Sequence, residues 1–545
     1  MPASKQSGRI GRSKSKTGCD TCKIRRVRCG EEKPRCVRCI STGRQCSYGA
    51  SSLSKSTVPL NVAARTFACL HTHLTTSFPT WVEPQTGWRE RRAFEFYFHQ
   101  AGPSLSGDLD LYFWRGCVLQ TCRQEPAVWD AIISLSALYE RPPLLETPPF
   151  WLINNPATVR SHSHREALVW YSRSLAVLQQ RINQGTANLS VSLISCILFI
   201  AIELLQGNRK AALGLYKQGA QLMINADREP WITTLTPIFR RLGTWVLIND
   251  GSSRDGWNLN LIAPSECFGS IDEARNVLCG IVAEMKTLNN ATKSHWKQAA
   301  ESRKYEVPFL EAKQQHLKQR LGHWHRRLMS LKSSEISGSN EVVSSIDGAT
   351  ALLLMTYTSV LIEIETSLST DQTAYDAHEP EFNQILRYAP AAIESTRSSN
   401  GKQPPFLFET GVFLPLFITA LKCRIPQLRR QALRLMLEEA PPAQGLFMCR
   451  PAAHVVAAIV TLEETPRTRI EKASEVEHLL SRPGCIPPSQ NRVWDFSLSS
   501  DKNRDGHIQV GLDYSLRDVD DEEGRIRFTQ RRILFPGING PLYDS

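Results

Sequence analysis

The chain has 545 residues, 41% of them apolar, and a formal net charge of +12 at neutral pH, which leaves room for a small module beside a larger buried core. Its most apolar run, Leu189 to Leu205, is shorter than the roughly 20 residues of a membrane span and holds serines and Glu203, so it reads as a buried core helix and no membrane partner is expected. Residues 1–18 contain no apolar h-region, which speaks against a secretory signal and against disulfides as the use of the 15 cysteines.

The charge is concentrated at one end. Residues 1–50 hold 13 Lys/Arg and 3 Asp/Glu, so nearly all of the excess lies there. Residues 1–17, with Arg9, Arg12, Lys14 and Lys16 and no apolar pattern, are expected to be a disordered basic arm that contacts phosphate, serves nuclear import or only solubilises. Next come Cys19, Cys22, Cys29, Cys36, Cys39 and Cys46, in the pattern C-x2-C-x6-C-x6-C-x2-C-x6-C. The triplet Cys19-Cys22-Cys29 recurs seventeen residues later as Cys36-Cys39-Cys46. A C-x2-C turn presents two sulfurs to one metal ion, and neither pair has the strand–helix context of a redox dithiol. One tetrahedral zinc takes four sulfurs and two separate zincs take eight. Six thiolates satisfy two ions only if two of them bridge. Between the second and third cysteines stands a cationic strip, Lys23-Ile24-Arg25-Arg26-Val27-Arg28. Six thiolates outweigh two divalent ions by two charges, so a metallated segment stays strongly positive, a footprint for a polyanion.

Residues 19–46, with the string Cys-Asp-Thr-Cys-Lys-Ile-Arg-Arg-Val-Arg-Cys, then Lys33-Pro34-Arg35-Cys36-Val37-Arg38-Cys39 and Cys46, resemble the fungal zinc binuclear-cluster, or Zn(2)-C6, DNA-binding domain. The resemblance implies two zinc ions per chain, Cys19 and Cys36 bridging, with Cys22 and Cys29 completing one site and Cys39 and Cys46 the other. It also implies two short helices around the cluster, the first entering the major groove of double-stranded DNA. Carried over by position, Arg25 and Arg26 read bases, while Lys23 and Arg28 contact phosphate. Arg35, Arg38 and Arg44 are phosphate candidates, with ordinary solvated charge as the alternative. Arginine bonds O6 and N7 of guanine, so a CGG-like triplet is the expected target, although several family members carry Lys where this chain has Arg25 and Arg26. Ile24, Val27, Val37, Ile40 and Tyr48 are nearly all the apolar core this segment (18–47) offers, so metal is expected to supply most of its folding free energy.

A triplet recurs about every 64 positions by chance, so one module does not choose a promoter. The linker 48–87 is Ser-rich at its start. Leu60, Phe67, Leu70 and Leu74 give at most two turns of heptad spacing, short of a coiled coil. Self-association through the large domain and monomeric binding helped by neighbours both remain open.

From about residue 88 the pattern is helical. Helices are expected at 88–100, 126–140, 160–183, 190–206, 209–225, 231–249, 272–288, 309–331, 349–368, 378–398, 412–438 and 468–480, with apolar residues at steps of three and four such as Ala167, Trp170, Tyr171, Leu175 and Leu178. The fold class expected is a small zinc-stapled module plus a large all-α domain over 88–480. Loops are expected at 250–265, 332–348, 399–405 and 481–490. Residues 481–545 read as an irregular tail, with short strands allowed only after 490. The segments from Arg92, Trp114 and Glu125 resemble, more loosely, the fungal-specific transcription factor domain, a helical regulatory domain associated with effector sensing, self-association or coregulator contact. The acidic run Asp518 to Glu523 reads as a solvated stretch rather than a recruiting surface.

No catalytic signature stands out: G-x-S-x-G, P-loop, H-E-x-x-H and a Rossmann glycine motif are all missing from the sequence. His162 and His164, like His323 and His325, are two apart, which splits each pair across helix faces. The expectation is a nuclear, sequence-specific transcription regulator of RNA polymerase II genes, with coregulators as partners, and not an enzyme. The alternative is a zinc-stapled scaffold that binds RNA or an acidic protein.

Overall fold

The computed structural model describes residues 19, 21–22, 25, 27–32, 35–42, 86–107, 109–146, 161–224, 231–250, 267–297, 307–337, 346–398, 400–465, 476–502, 508–519 and 526–535. The basic arm and the linker up to residue 85 lie outside them. The chain divides into two compact units, residues 1–58 and 59–545, taken separately here.

The larger unit is built mainly of helices. Pro126–Glu140, His162–Asn183, Leu189–Leu205, Arg209–Ile224 and Ile232–Asp250 follow one another within a residue or two of the expected bounds. Local chemistry sets the starts. Asn188 is extended, and its Oδ1 accepts from Ser190 N at 2.9 Å and from Ser190 Oγ at 2.8 Å, which caps Leu189–Leu205. Asp347 caps Gly348–Thr366 by accepting from Thr350 N at 2.8 Å. Serine hydroxyls let helices approach closely: Ser134 Oγ donates to Ala167 O and Ser174 Oγ to Ala127 O, which seats Pro126–Glu140 against His162–Asn183.

Two helices are apolar nearly all round, for a positional reason. Leu189–Leu205 is buried at every residue but its first two. Gly348–Thr366 is long and apolar enough to cross a membrane, yet it forms a wall shared by two cores. Ala351, Met355 and Ile362 face one with Phe382, Ile385 and Leu416, and Leu353, Leu354, Val360 and Ile364 face the other with Leu278, Leu321 and Trp324.

Within the span expected to be all-α, 88–480, the departure is one short ribbon; the other strands fall after 490, where short strands are expected, but are longer than expected. Among the described residues there are five strands: β1 (Ala443–Gln444), β2 (Phe447–Met448), β3 (Val493–Lys502), β4 (Ile508–Val519) and β5 (Ile526–Leu534). β1 and β2 form a short antiparallel ribbon, and β3-β4-β5 an antiparallel sheet with Leu498 opposite Leu512 and Leu512 opposite Ile533. The expected irregular tail 481–545 is therefore ordered sheet over much of its length. Val510, Leu512, Tyr514 and Leu516 alternate inward and join the core of the second helical half, as do Val493, Ile533 and Phe535. This period of two stands in the sequence; the Ser, Asp and Gly between the apolar residues occupy the other face and disguise it.

Helix bounds also shift. Residues 412–438 split into Phe413–Lys422 and Pro426–Arg434, followed by a π turn over Leu435–Glu439. Pro426 disfavours helical geometry at Ile425, which is extended. The helices Ile271–Lys297 and Val307–Ser337 run past their expected ends at 288 and 331, the latter into the loop expected at 332–348. Cys449–Glu464 is a helix that was not expected; its middle, Val455 to Val460, is a short buried run rich in β-branched residues that reads as strand as readily as helix. Residues 250–265, apart from Asp250, and 466–475 lie outside the described residues.

Charged side chains inside this unit are netted. Glu463, fully buried, accepts from Arg424 Nη2 at 2.9 Å, Arg429 Nη2 at 2.7 Å and Val493 N at 2.9 Å, which ties the first residue of β3 to the helices. Burial alone pushes its carboxyl up; the two guanidinium groups more than reverse that and hold it below the usual range. Asp110 is held in the same way by Arg241 and Arg275, with Glu409 also bonded to Arg275. His162 is exposed and His164 buried, as their spacing implies.

Candidate metal centre and nucleic-acid interface

The seventeen-residue repeat becomes an approximate twofold arrangement of sulfurs. Thr21 and Cys22 are helical, with Arg25 N bonded to Thr21 O at 3.2 Å. In the second half Val37–Ile40 forms a one-turn helix begun by an extended Cys36. In the first half Cys22 N donates to Cys19 Sγ at 3.4 Å, the N–H-to-sulfur bond of a C-x2-C turn. Cys19, Cys22, Cys29, Cys36 and Cys39 are all buried together.

Four of these sulfurs lie within 4.8 Å of one another: Cys19, Cys22, Cys36 and Cys39. The bridging candidates Cys19 and Cys36 are 3.7 Å apart. The repeat-related pairs Cys19–Cys39 and Cys22–Cys36 are 3.7 and 3.8 Å apart. A tetrahedron with Zn–S bonds of about 2.3 Å has edges of about 3.8 Å, so these separations match the edges of a zinc–thiolate site. Cys22 and Cys39, which the resemblance places on different ions, are also 3.8 Å apart, so these four sulfurs occupy the corners of one tetrahedron. Cys29 is beside them rather than among them, and its sulfur accepts from Cys19 N at 3.2 Å and Glu31 N at 3.4 Å. Cys46 lies outside the described residues. The thiols shift in opposite directions, burial pushing Cys22 up. Burial pushes the Cys36 thiol up, but the Cys39 N–H and the neighbouring sulfurs outweigh it and draw it down to about 6, which favours thiolate at neutral pH.

Positive φ at a non-glycine residue marks a local cost. Glu31, at φ 65°, turns the chain after Cys29 and aims its N–H back at that sulfur. The apolar support is thinner than the sequence implied. Val37 and Ile40 are each 59% exposed, and Val27 is the one described apolar side chain packed, in part, against the cysteines. Ile24 and Tyr48 lie outside the described residues.

Arg28, Arg35 and Arg38 are exposed. Arg25 is half-buried and reaches from the first half to the second, where Nη1 donates to Thr42 Oγ1 at 3.3 Å; Thr42 Oγ1 in turn donates to Arg38 O at 2.8 Å. A guanidinium has five N–H donors, so this one bond orients the fork and leaves capacity for an acceptor beyond the protein. Thr42 escaped the sequence reading; its signal is a hydroxyl at the end of the turn that follows Cys39. Lys23, Arg26 and Arg44 lie outside the described residues.

Residues 17–55 match the Fungal Zn(2)-Cys(6) binuclear cluster domain, so the amino-terminal module is such a domain. The chain is 29% identical over 235 residues to the aspercryptin biosynthesis cluster-specific transcription regulator atnN of Emericella nidulans, an alignment covering 40% of this chain and 35% of that protein. It is 49% identical over 43 residues to sterol uptake control protein 2 of Saccharomyces cerevisiae (8% and 5% of the two chains). It is 53% identical over 38 residues to an uncharacterized transcriptional regulatory protein, C15D4.02, of Schizosaccharomyces pombe (7% of each). The relatives are fungal transcription regulators, and the alignments span about a third of the first one's length or less. No solved structure matches the chain.

Proposed function

We propose that the chain is a nuclear, zinc-dependent, sequence-specific regulator of RNA polymerase II transcription and not an enzyme. The observation that carries this is the tetrahedral set of four buried cysteine sulfurs inside the matched domain, ringed by exposed arginines. Two zinc ions are held by six thiolates, with Cys19 and Cys36 shared, Cys22 and Cys29 on one ion and Cys39 and Cys46 on the other. Zinc supplies folding free energy, on the order of 10 kcal/mol per structural ion, to a module with almost no apolar core. The first helix, one of two, then presents Arg25 and Arg26 to base edges in the major groove. Lys23, Arg28, Arg35, Arg38 and Arg44 meet phosphates. The reading frame is a CGG-like triplet, and the Arg25–Thr42 bond fixes the guanidinium relative to the second half of the module. The helical unit acts as the regulatory region, through self-association or coregulator contact.

The test is a double-stranded DNA microarray probed with the zinc-loaded full-length chain. A preferred triplet is expected. About five phosphate contacts should give a log K against log[salt] slope near −4 to −5. Binding to RNA with no duplex preference would instead support the scaffold alternative and end this reading.

A further inference from the structure

The second, larger unit holds a partly open cavity of about 1300 Å³ that nothing in the DNA-binding reading uses. Such a volume exceeds what water or a metal ion needs and is ample for a drug-sized molecule. One wall is the Phe413–Lys422 helix, whose Phe413, Phe417 and Leu421 stand at intervals of four and so share a face toward the cavity. Phe447 of β2 stacks on Phe413 at 4.8 Å between ring centroids and extends this apolar wall. The Ile271–Lys297 helix and the start of β3 complete the lining.

Charge on the lining is one-sided: five Lys and Arg side chains stand against two carboxylates. The carboxylates are already engaged. Lys286 Nζ pairs with Glu363 at 2.7 Å and Lys293 Nζ with Asp495 at 2.7 Å. Lys422 differs from both. Its Nζ donates to Gln372 Oε1 at 2.7 Å and weakly to Trp494 O at 3.5 Å, and lies 5.2 Å from the centre of the Tyr375 ring. Those acceptors are neutral, and no carboxylate among the described residues pairs with it. Arg424, two residues on, uses its charge on Glu463. A half-buried ammonium beside an aromatic ring, with no carboxylate bonded to it, is a position a ligand carboxylate completes. Desolvation, with Arg424 and Lys293 nearby, draws this amine down to about 7, the consequence expected of a cation lacking its anion.

We propose that this cavity binds an amphipathic organic acid, with its carboxylate against Lys422 and its apolar body along Phe413, Phe417 and Phe447. The site joins helices to β3, so an occupied cavity fastens the sheet to the bundle. This site is independent of the amino-terminal module, and its test reads no DNA.

The test is a fluorescence titration of the full-length, zinc-loaded chain with dansyl-undecanoic acid and, separately, its methyl ester. The acid is expected to bind roughly tenfold or more tightly than the ester, the worth of one charge-assisted bond. Lys422→Met should abolish that preference while leaving ester binding unchanged, and Lys422→Arg should keep it. Equal affinity of acid and ester for the unaltered chain, a preference that survives Lys422→Met, or lack of saturable binding of the acid would each overturn the proposal. The acid–ester comparison on the unaltered chain stands even if a variant does not fold.

Discussion

The two units are held together by different physics. In the amino-terminal module five described cysteines are buried while Val37 and Ile40 lie open to water. In the larger unit the order is inverted: apolar side chains fill two cores that meet on Gly348–Thr366, and buried ions such as Glu463 are satisfied by neighbours. Stability in the first is chemistry at one point. In the second it is distributed over many contacts of small individual worth. A single reagent should therefore separate them.

The largest effect expected is that of a chelator. Removing zinc should unfold the module and abolish DNA binding, while the thermal midpoint of the larger unit stays in place, as followed by near-UV circular dichroism. Cys19→Ser should reproduce the loss. A larger unit that melts with the chelator would break the comparison. Next is Glu463→Ala, which leaves Arg424 and Arg429 buried without their anion. It should cost about 3–5 kcal/mol in urea unfolding of the larger unit. DNA affinity per folded molecule should be unchanged.

A pH titration sharpens the same contrast. Glu203 is fully buried; desolvation raises its carboxyl to about 7, opposed by bonds from Tyr171 OH and Asn208 Nδ2. Its folded value thus lies above its unfolded value of 4.5. Between the two the folded chain binds the extra proton, so stability contributed here is full in acid and lost as pH rises toward 7, by at most about 1.4 kcal/mol per pH unit. Glu203→Gln should flatten that part of the stability profile; an unchanged slope would show that Glu203 ionises as readily as in water.

Smaller effects lie on the DNA face. Arg25→Ala should cost about 1–3 kcal/mol and relax preference at one base pair, whereas Arg38→Ala should weaken all sequences alike and reduce the salt slope by about one. Equal behaviour of the two variants would remove the distinction between base and phosphate contacts. Smallest is Asn188→Ala, expected to cost about 1 kcal/mol of the larger unit's stability through the lost cap.

Much of this was open to reading in the sequence, for identifiable reasons. Cysteine spacing is geometric, so the repeat at Cys19 and Cys36 announces sulfurs that the fold brings to 3.7 Å. Amphipathic helices such as His162–Asn183 show their buried face as a period. A short buried run rich in β-branched residues does not tell helix from strand, and Cys449–Glu464, with Val455 to Val460 at its middle, was not expected for that reason. The sheet was misread because Gly511, Asp513 and Ser515 between its inward residues look like loop composition. Lys422 gave no local signal, since its setting depends on Gln372, Tyr375 and Trp494, which are distant in sequence.

The bond from Val493 N to the Glu463 carboxylate has a genetic corollary. A premature stop just upstream of Val493 would not trim a dispensable tail. It would uncover one side of the second helical half and strip an acceptor of its donor. A chain cut there should therefore be lost to proteolysis although its metal-binding end is intact.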